Sequence, residues 1–362
     1  MEKKLKIAIF ESSRTDIGGS QKVIQKISKH LSEKHEVEIF TQKLPDKKDY
    51  FGDVKVNIIR PQTRFFSSIA FLLKKVTGFD LIILGSFPAN LGSIRNTPTL
   101  TLCYTPTREF YDLRKYLLKS PNLKVKLRTI VKNILFKKLD YIASSKTDRI
   151  MSISATVKNR VNKEYKRDST IFYPGIDSED FESGKYENYI LSVARFVGAK
   201  RVDVLIKSMK FVKNKEVQLY LVGCGEDDKK IRNLAENTRN VKVLGAVSSE
   251  ELKKLYSNCL AVAYIPLNED YGLVPLEAGA SKKAIIGSDE GGLRETIVNN
   301  KTGFLIKNPS PKKIAEKIDI LFENKELAKK MGNQAYNYIK KFDWSINLKK
   351  LDNEIQELLK NN

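Results

Sequence analysis

The fold is legible in Leu5-Lys-Ile-Ala-Ile-Phe10, followed by Glu11-Ser-Ser-Arg-Thr-Asp-Ile-Gly18-Gly19-Ser20 and by Gln21–Leu31. The first run is almost wholly apolar, as a strand buried on both faces of a parallel sheet must be. In the third, Val23, Ile24, Ile27 and Leu31 recur at helical spacing. Gly18 and Gly19 let the backbone turn tightly at the head of that helix and approach a ligand closely. They are either a simple tight turn or a place where a phosphate or another ligand meets the helix start. Strand, glycine turn and helix make the opening unit of a Rossmann-like domain. The dinucleotide fingerprint G-x-G-x-x-G is absent, so the unit is not read as a nicotinamide or flavin site.

Working outward, strands are predicted at Val37–Thr41, Val54–Ile59, Leu81–Leu84 and Thr99–Tyr104, alternating with helical stretches such as Phe65–Val76. Alternation of strand and helix implies a parallel sheet covered on both faces, with ligands beyond the carboxyl ends of its strands. Tyr104-Thr-Pro-Thr-Arg108 sits at such an end and offers an aromatic ring, hydroxyls and a guanidinium to a sugar or phosphate, or is a proline-initiated turn with an exposed arginine. From Pro121 to Leu139, Leu127, Ile130, Val131, Ile134 and Leu135 keep helical spacing among six lysines and arginines. That pattern fits a basic amphipathic helix on an anionic membrane surface, or a helix whose apolar stripe faces the core. Arg149–Ile153, a helix around Val157–Tyr165 and Thr170–Tyr173 close the first domain. Polar, aperiodic Asp180–Glu187 reads as the linker.

The second domain is expected to open with strand Tyr189–Ala194 and then Arg195-Phe-Val-Gly-Ala-Lys200, two cations able to converge on one anion. Strands Gln218–Val222 with the Gly223-Cys-Gly225 turn, Val241–Gly245 and Leu260–Pro266 follow, the last delivering Asn268-Glu-Asp-Tyr-Gly-Leu-Val-Pro-Leu-Glu-Ala-Gly-Ala-Ser281. Glu269 and Glu277 stand eight apart there, one on a loop and one on the first turns of a helix. Gly272 permits close backbone approach, and the free N–H groups of a helix start suit a phosphate. Glu277 can accept hydrogen bonds from paired hydroxyls such as a ribose carries. A capped surface helix with two solvated acids is the plainer alternative. Helices at Ile314–Phe322 and Glu326–Ile339 and a last one to Leu359 complete the chain.

These blocks resemble the signature of glycosyltransferase family 4, the retaining sugar-nucleotide transferases of GT-B fold. The E-x7-E spacing, the G-L-V-P-L-E-A core and Gly291-Gly-Leu-Arg-Glu-Thr296 match in order, and Tyr173-Pro-Gly-Ile-Asp177 resembles the family's N-G-V-D turn. The resemblance implies an α/β chain of two Rossmann-like domains facing across a cleft: residues 1–182 for the acceptor, braced by 342–362 as a returning C-terminal helix, and 183–341 for the donor. It implies that Arg195 and Lys200 hold the donor diphosphate without a metal and, with Glu269, carry catalysis. Amides of Gly272, Leu273 and Val274 assist, and Glu277 holds the ribose. Gly18, Gly19, Gly223, Gly245 and Val247 complete the donor site, the last two beside the nucleobase. Tyr104, Arg108 and Tyr111 lie in the family's H-T-P-x-R-x-x-Y-D stretch, on the acceptor or sugar side. Tyr104 replaces the usual histidine and cannot act as a base of pKa near 7. Ala194 replaces a glycine. A non-catalytic sugar-nucleotide or glycan-binding module of the same fold is the alternative reading.

Composition bounds the partners. With 65 Lys and Arg against 43 Asp and Glu, the net charge is +22, and residues 95–167 hold 18 of those cations against 5 acids. Such a field favours an anionic membrane or a lipid pyrophosphate acceptor. Nucleic-acid binding is not expected, because aromatics do not alternate with the basic run as stacking platforms. Three cysteines without paired spacing read as small buried residues in a reducing compartment, and His30 and His35 assemble no metal cluster. No transmembrane run and no signal peptide are seen. The expectation is a cytoplasmic enzyme, peripheral at the inner face of the membrane, that uses a GDP- or UDP-linked hexose and no cofactor.

Overall fold

The computed structural model describes residues 3–12, 18–43, 50–61, 66–119 and 122–360, in two compact units. Unit 1 comprises residues up to Pro174 together with Asn347 onward, and unit 2 spans Gly175–Ile346.

Unit 1 carries strands β1 (Lys6–Glu11), β2 (Glu36–Thr41), β3 (Lys55–Ile58), β4 (Leu81–Leu84), β5 (Thr99–Cys103), β6 (Arg149–Ser152) and β7 (Thr170–Ile171). All pair in parallel, in the order β3-β2-β1-β4-β5-β6-β7. Its helices are α1 (Gly19–Ser32), α2 (Phe66–Leu73), α3 (Arg114–Leu118), α4 (Leu123–Lys146) and α5 (Ala155–Tyr165). Phe65 and Pro121, the expected helix starts, lie outside the described residues. Phe10, Phe71, Ile82 and Leu84 sit in the core, with Phe10 and Phe71 ring centroids 6.1 Å apart.

Unit 2 carries β8 (Tyr189–Val193), β9 (Gln218–Val222), β10 (Val241–Gly245), β11 (Ala261–Tyr264), β12 (Ala284–Ser288) and β13 (Gly303–Ile306), parallel in the order β10-β9-β8-β11-β12-β13. Its helices are α6 (Val202–Ser208), α7 (Asp228–Glu236), α8 (Ser249–Asn258), α9 (Leu273–Ala280), α10 (Leu293–Thr296), α11 (Pro311–Glu323) and α12 (Lys325–Ile339), before α13 (Trp344–Lys360). Each sheet reverses its winding beside its first strand, at β1/β4 and at β8/β11. Such a switch point opens a crevice beyond the strand ends.

The division differs from the sequence expectation at both joints. Asp180–Glu187 does not link the units but lies on unit 2. Gly184 and Glu187 donate backbone N–H groups to the Ser257 and Asn258 carbonyls at 2.9 Å, and the Phe181 ring meets Tyr256 edge-on. A β-carbon on Gly184 would come within 2.6 Å of the Asn258 and Ser257 side chains, so this polar stretch is ordered by close packing. Phe342–Trp344 also stays with unit 2, since Ile176 donates to the Phe342 carbonyl and Gly175 abuts Trp344. From Asn347 onward α13 belongs to unit 1, where Asp352 meets His30 of α1 at 3.0 Å. Cys103 and Cys259 are buried as expected, but Cys224 is exposed, because β9 ends at Val222 and leaves it in the following loop.

Helix α4 decides between the two readings of its apolar stripe. Its buried residues are Thr129, Asn133, Phe136, Asp140, Ala143 and Ser144, whereas Leu127, Ile130, Val131, Ile134 and Leu135 are exposed. The apolar stripe does not face the core. Among the described residues no helix is long and apolar enough to cross a membrane.

Candidate active site

In unit 2 the predicted donor residues gather at the carboxyl ends of β8, β9, β10 and β11, around the switch point. Past β8, a short 3-10 turn over Gly198–Lys200 aims Lys200 across the sheet. Its ammonium donates to the Glu269 carboxylate at 2.7 Å and to the Tyr264 hydroxyl at 2.8 Å. Burial works against this cation, but the Tyr264 oxygen and the Glu269 carboxylate outweigh that cost and hold its pKa above the usual lysine range. The lysine therefore stays charged. Arg195, five residues earlier, is exposed and makes no side-chain hydrogen bond among the described residues. The structure brings Lys200 to Glu269 and leaves Arg195 open.

The Glu269 loop is fixed by its neighbours. Gly292 donates to the Glu269 carbonyl at 2.8 Å, and Leu267 donates to the Ala199 carbonyl at 2.7 Å. Glu290 joins two segments, accepting from the Asn268 amide at 2.9 Å and pairing with Arg201 at 2.8 Å. Gly272, with φ of +94°, precedes α9 and adds no side-chain cap. The first N–H groups of a helix have no intrahelical acceptor, and in α9 these include the amides of Leu273 and Val274. Deeper in α9, Glu277 is buried and accepts from the Tyr256 hydroxyl at 2.7 Å.

Gly223 directly follows β9 and Gly245 ends β10, and the Gly223 amide donates to the Gly245 carbonyl at 2.8 Å. Gly223, with φ of +134°, is constrained further: a β-carbon would lie 2.0 Å from the Ala194 carbonyl. Val247 and Val274 pack on the apolar cluster that includes Tyr256 and Leu293. Tyr256, Tyr264, Arg201 and Glu290 were not anticipated from sequence. Arg201 directly follows Lys200 and Glu290 directly precedes the Gly291-Gly292 pair, which were the available signals.

In unit 1 the Gly18 amide donates to the Gln21 side chain at 3.0 Å and Gly19 opens α1. Tyr104 follows β5, and its hydroxyl donates to the Ser20 carbonyl at 3.3 Å, which places it beside the glycine pair. Arg108 forms a 2.9 Å ion pair with Asp112. The Tyr111 ring meets Tyr165 edge-on at 5.7 Å under the Lys137 ammonium. Arg108 and Tyr111 are thus built into local packing.

A carboxyl not singled out from sequence, Glu11, ends β1 at the switch point of the first sheet. It is 4% exposed, one of its oxygens lacks a hydrogen-bond partner among the described residues, and burial pushes its pKa up to about 8. It is mostly protonated at neutral pH and a poor nucleophile. No group of three or more His, Cys, Asp or Glu able to hold a metal occurs among the described residues.

Two Rossmann-like units, each a parallel sheet with a switch point, define the GT-B class. The family model for glycosyl transferases group 1 matches residues 175–338, and that for Glycosyltransferase Family 4 matches residues 17–180. An uncharacterised glycosyltransferase of Methanocaldococcus jannaschii is 31% identical over 56% of this chain and 57% of its own length, little over half of each. The O-antigen chain mannosyltransferase of Salmonella typhimurium is 27% identical over 70% of this chain and 69% of its own. The structure of sucrose-phosphate synthase from Thermosynechococcus elongatus superposes with a TM-score of 0.82 at 18% identity, covering 99% of this chain and 100% of that one. The chain belongs to glycosyltransferase family 4. It is a glycosyltransferase.

Proposed function

We propose that the protein transfers a hexose from a GDP- or UDP-linked donor to a glycan or lipid-linked acceptor at the inner face of a membrane, with retention of anomeric configuration and without a metal. The Lys200–Glu269 pair at the switch point carries this reading. It sets a permanent cation and an oriented carboxylate side by side, next to the open amides of α9. Lys200, exposed Arg195 and the amides of Leu273 and Val274 would receive the diphosphate, and their charge would stabilise it as it leaves. Glu269 would hold sugar hydroxyls and Glu277 the ribose, with Gly223, Gly245 and Val247 around the base. On unit 1, Gly18, Gly19 and Tyr104 are the groups offered to the acceptor or the donor sugar.

In the proposed step the bond from the anomeric carbon to the diphosphate oxygen breaks and its electron pair leaves with the diphosphate. The acceptor oxygen bonds to the same face of that carbon, and its proton passes to a departing phosphate oxygen. Tyr104 in place of histidine, and a Glu11 that keeps its proton, favour this front-face course over one through a covalent intermediate. The similarity to a mannosyltransferase of O-antigen chains supports a hexose donor and an envelope glycan as acceptor. Thermal shift against UDP, GDP, ADP and their sugar conjugates tests the donor. A rise in melting point with one diphosphate, lost in Arg195→Ala and Lys200→Ala, is expected by mass action. No rise with any nucleotide in a folded sample would sink the reading.

A further inference from the structure

Helix α4 is amphipathic with its polarity inverted. The side turned into unit 1 is largely polar and hydrogen-bonded there. The Asn133 amide donates to the Glu109 carbonyl at 3.0 Å, and Asp140 accepts from Asn90 and from the Tyr165 hydroxyl, each at 2.9 Å. Leu123, Leu127, Ile130 and Ile134 follow one another at steps of four, three and four, so they lie on one stripe away from that buried side. They are 75, 60, 44 and 74% exposed. A stripe of large aliphatic side chains held in water by an otherwise well-anchored helix marks an interaction surface.

The charges beside the stripe say what covers it. Around the helix Lys126 and Lys137 border it on one side and Lys124, Arg128 and Lys138 on the other. Arg128 and Lys132 pair with Glu109, but Lys124, Lys126 and Lys138 have no acidic partner among the described residues. Short α3 packs against α4 and adds Tyr116, 55% exposed, with Arg114 and Lys115. Unpaired lysines are depleted from the centre of protein interfaces, and two copies of this face would bring like charges together. A nucleic acid would have no use for the aliphatic stripe. A lipid surface uses both features, since acyl chains receive leucine and isoleucine while lysines reach out to phosphate.

We infer that α4 is the membrane-docking element: Leu123, Leu127, Ile130 and Ile134 enter the headgroup–acyl boundary of an anionic leaflet, and Lys124, Lys126 and Lys138 bind its phosphates. The inference rests on the membrane-side acceptor proposed above, but its readout is binding rather than turnover.

The test is flotation of the full chain with phosphatidylcholine vesicles made with and without phosphatidylglycerol. The wild type is expected to float with the anionic vesicles at low salt. Ile130→Ser/Ile134→Ser and Lys124→Glu/Lys138→Glu, each on the solvent side and folded by circular dichroism, are expected to bind at least about tenfold more weakly. Failure of the wild type to float, undiminished binding by the serine variant, or a dimer that the serine variant dissolves would each overturn it. A chain that shows a nucleotide thermal shift but does not float loses the docking surface and keeps the donor reading. A chain that floats but shows no shift does the reverse.

Discussion

Gly291 leaves the space that the Glu269 carbonyl fills: a β-carbon there would lie 2.2 Å from that oxygen and 2.8 Å from the Glu269 nitrogen. Its φ of +58° adds a second demand for glycine. Gly291→Ala is therefore expected to cost about 2–4 kcal/mol, from overpacking and left-handed backbone together. Gly52 has a similar φ of +62°, yet a β-carbon there would meet nothing within 4 Å. Gly52→Ala should cost only about 1 kcal/mol. Melting points of the two variants decide it, and equal losses would show that the Glu269 loop moves aside easily.

How much of this was legible in the sequence depends on what kind of fact was asked for. Strand runs such as Leu81–Leu84 and the Glu269–Glu277 stretch around Gly272 announce themselves, because burial on both faces and close backbone approach each limit residue choice. The direction in which a face points does not announce itself. In α4, Thr129, Asn133 and Asp140 keep the same helical period as Leu123, Leu127 and Ile134, and only the contacts with Asn90, Glu109 and Tyr165 reveal which set is inside. Tyr256 and Tyr264 were missed for a related reason: one lies in a polar helix and the other in an apolar strand, and each hydroxyl finds Glu277 or Lys200 only across the fold. Polar Asp180–Glu187 looked like a linker because its order comes from Ser257 and Asn258, over seventy residues away.

Lys200 and Glu269 are expected to fail differently when changed. Lys200→Ala removes a cation proposed to meet the donor diphosphate, so donor affinity and turnover should both fall. Glu269→Gln keeps the shape and leaves the lysine charged beside Tyr264. It should lower kcat about a hundredfold or more while the Kd for the nucleoside diphosphate changes little. Steady-state kinetics with calorimetric titration of the diphosphate separate the two. A Glu269→Gln enzyme of normal kcat would remove this carboxylate from the chemistry.

Tyr256 holds one oxygen of Glu277 from a fully buried position. Tyr256→Phe keeps the ring and deletes the donor, at a cost of about 1–3 kcal/mol for a buried acceptor left without it. If Glu277 binds the ribose as proposed, its loosened carboxylate should raise KM for the donor with little change in kcat. An unchanged KM alongside a lowered melting point would mean that the bond serves folding alone.

Glu11 makes the chain's stability depend on pH. Folding raises its pKa from 4.5 to about 8 because burial disfavours the carboxylate. Between those values the folded chain keeps a proton that the unfolded chain has released, so stability falls as pH rises. The contribution is whole below about pH 4.5 and is lost through about pH 8, by an amount on the order of 4 kcal/mol. Glu11→Gln cannot ionise and still fits beside Gly85, where a β-carbon would meet the carboxyl. Its melting point should exceed that of the wild type at pH 8 and converge with it near pH 5. Parallel melting curves for the two proteins across that range would show that Glu11 is already ionised in the folded chain, and the protonated carboxyl at the first switch point would have to be given up.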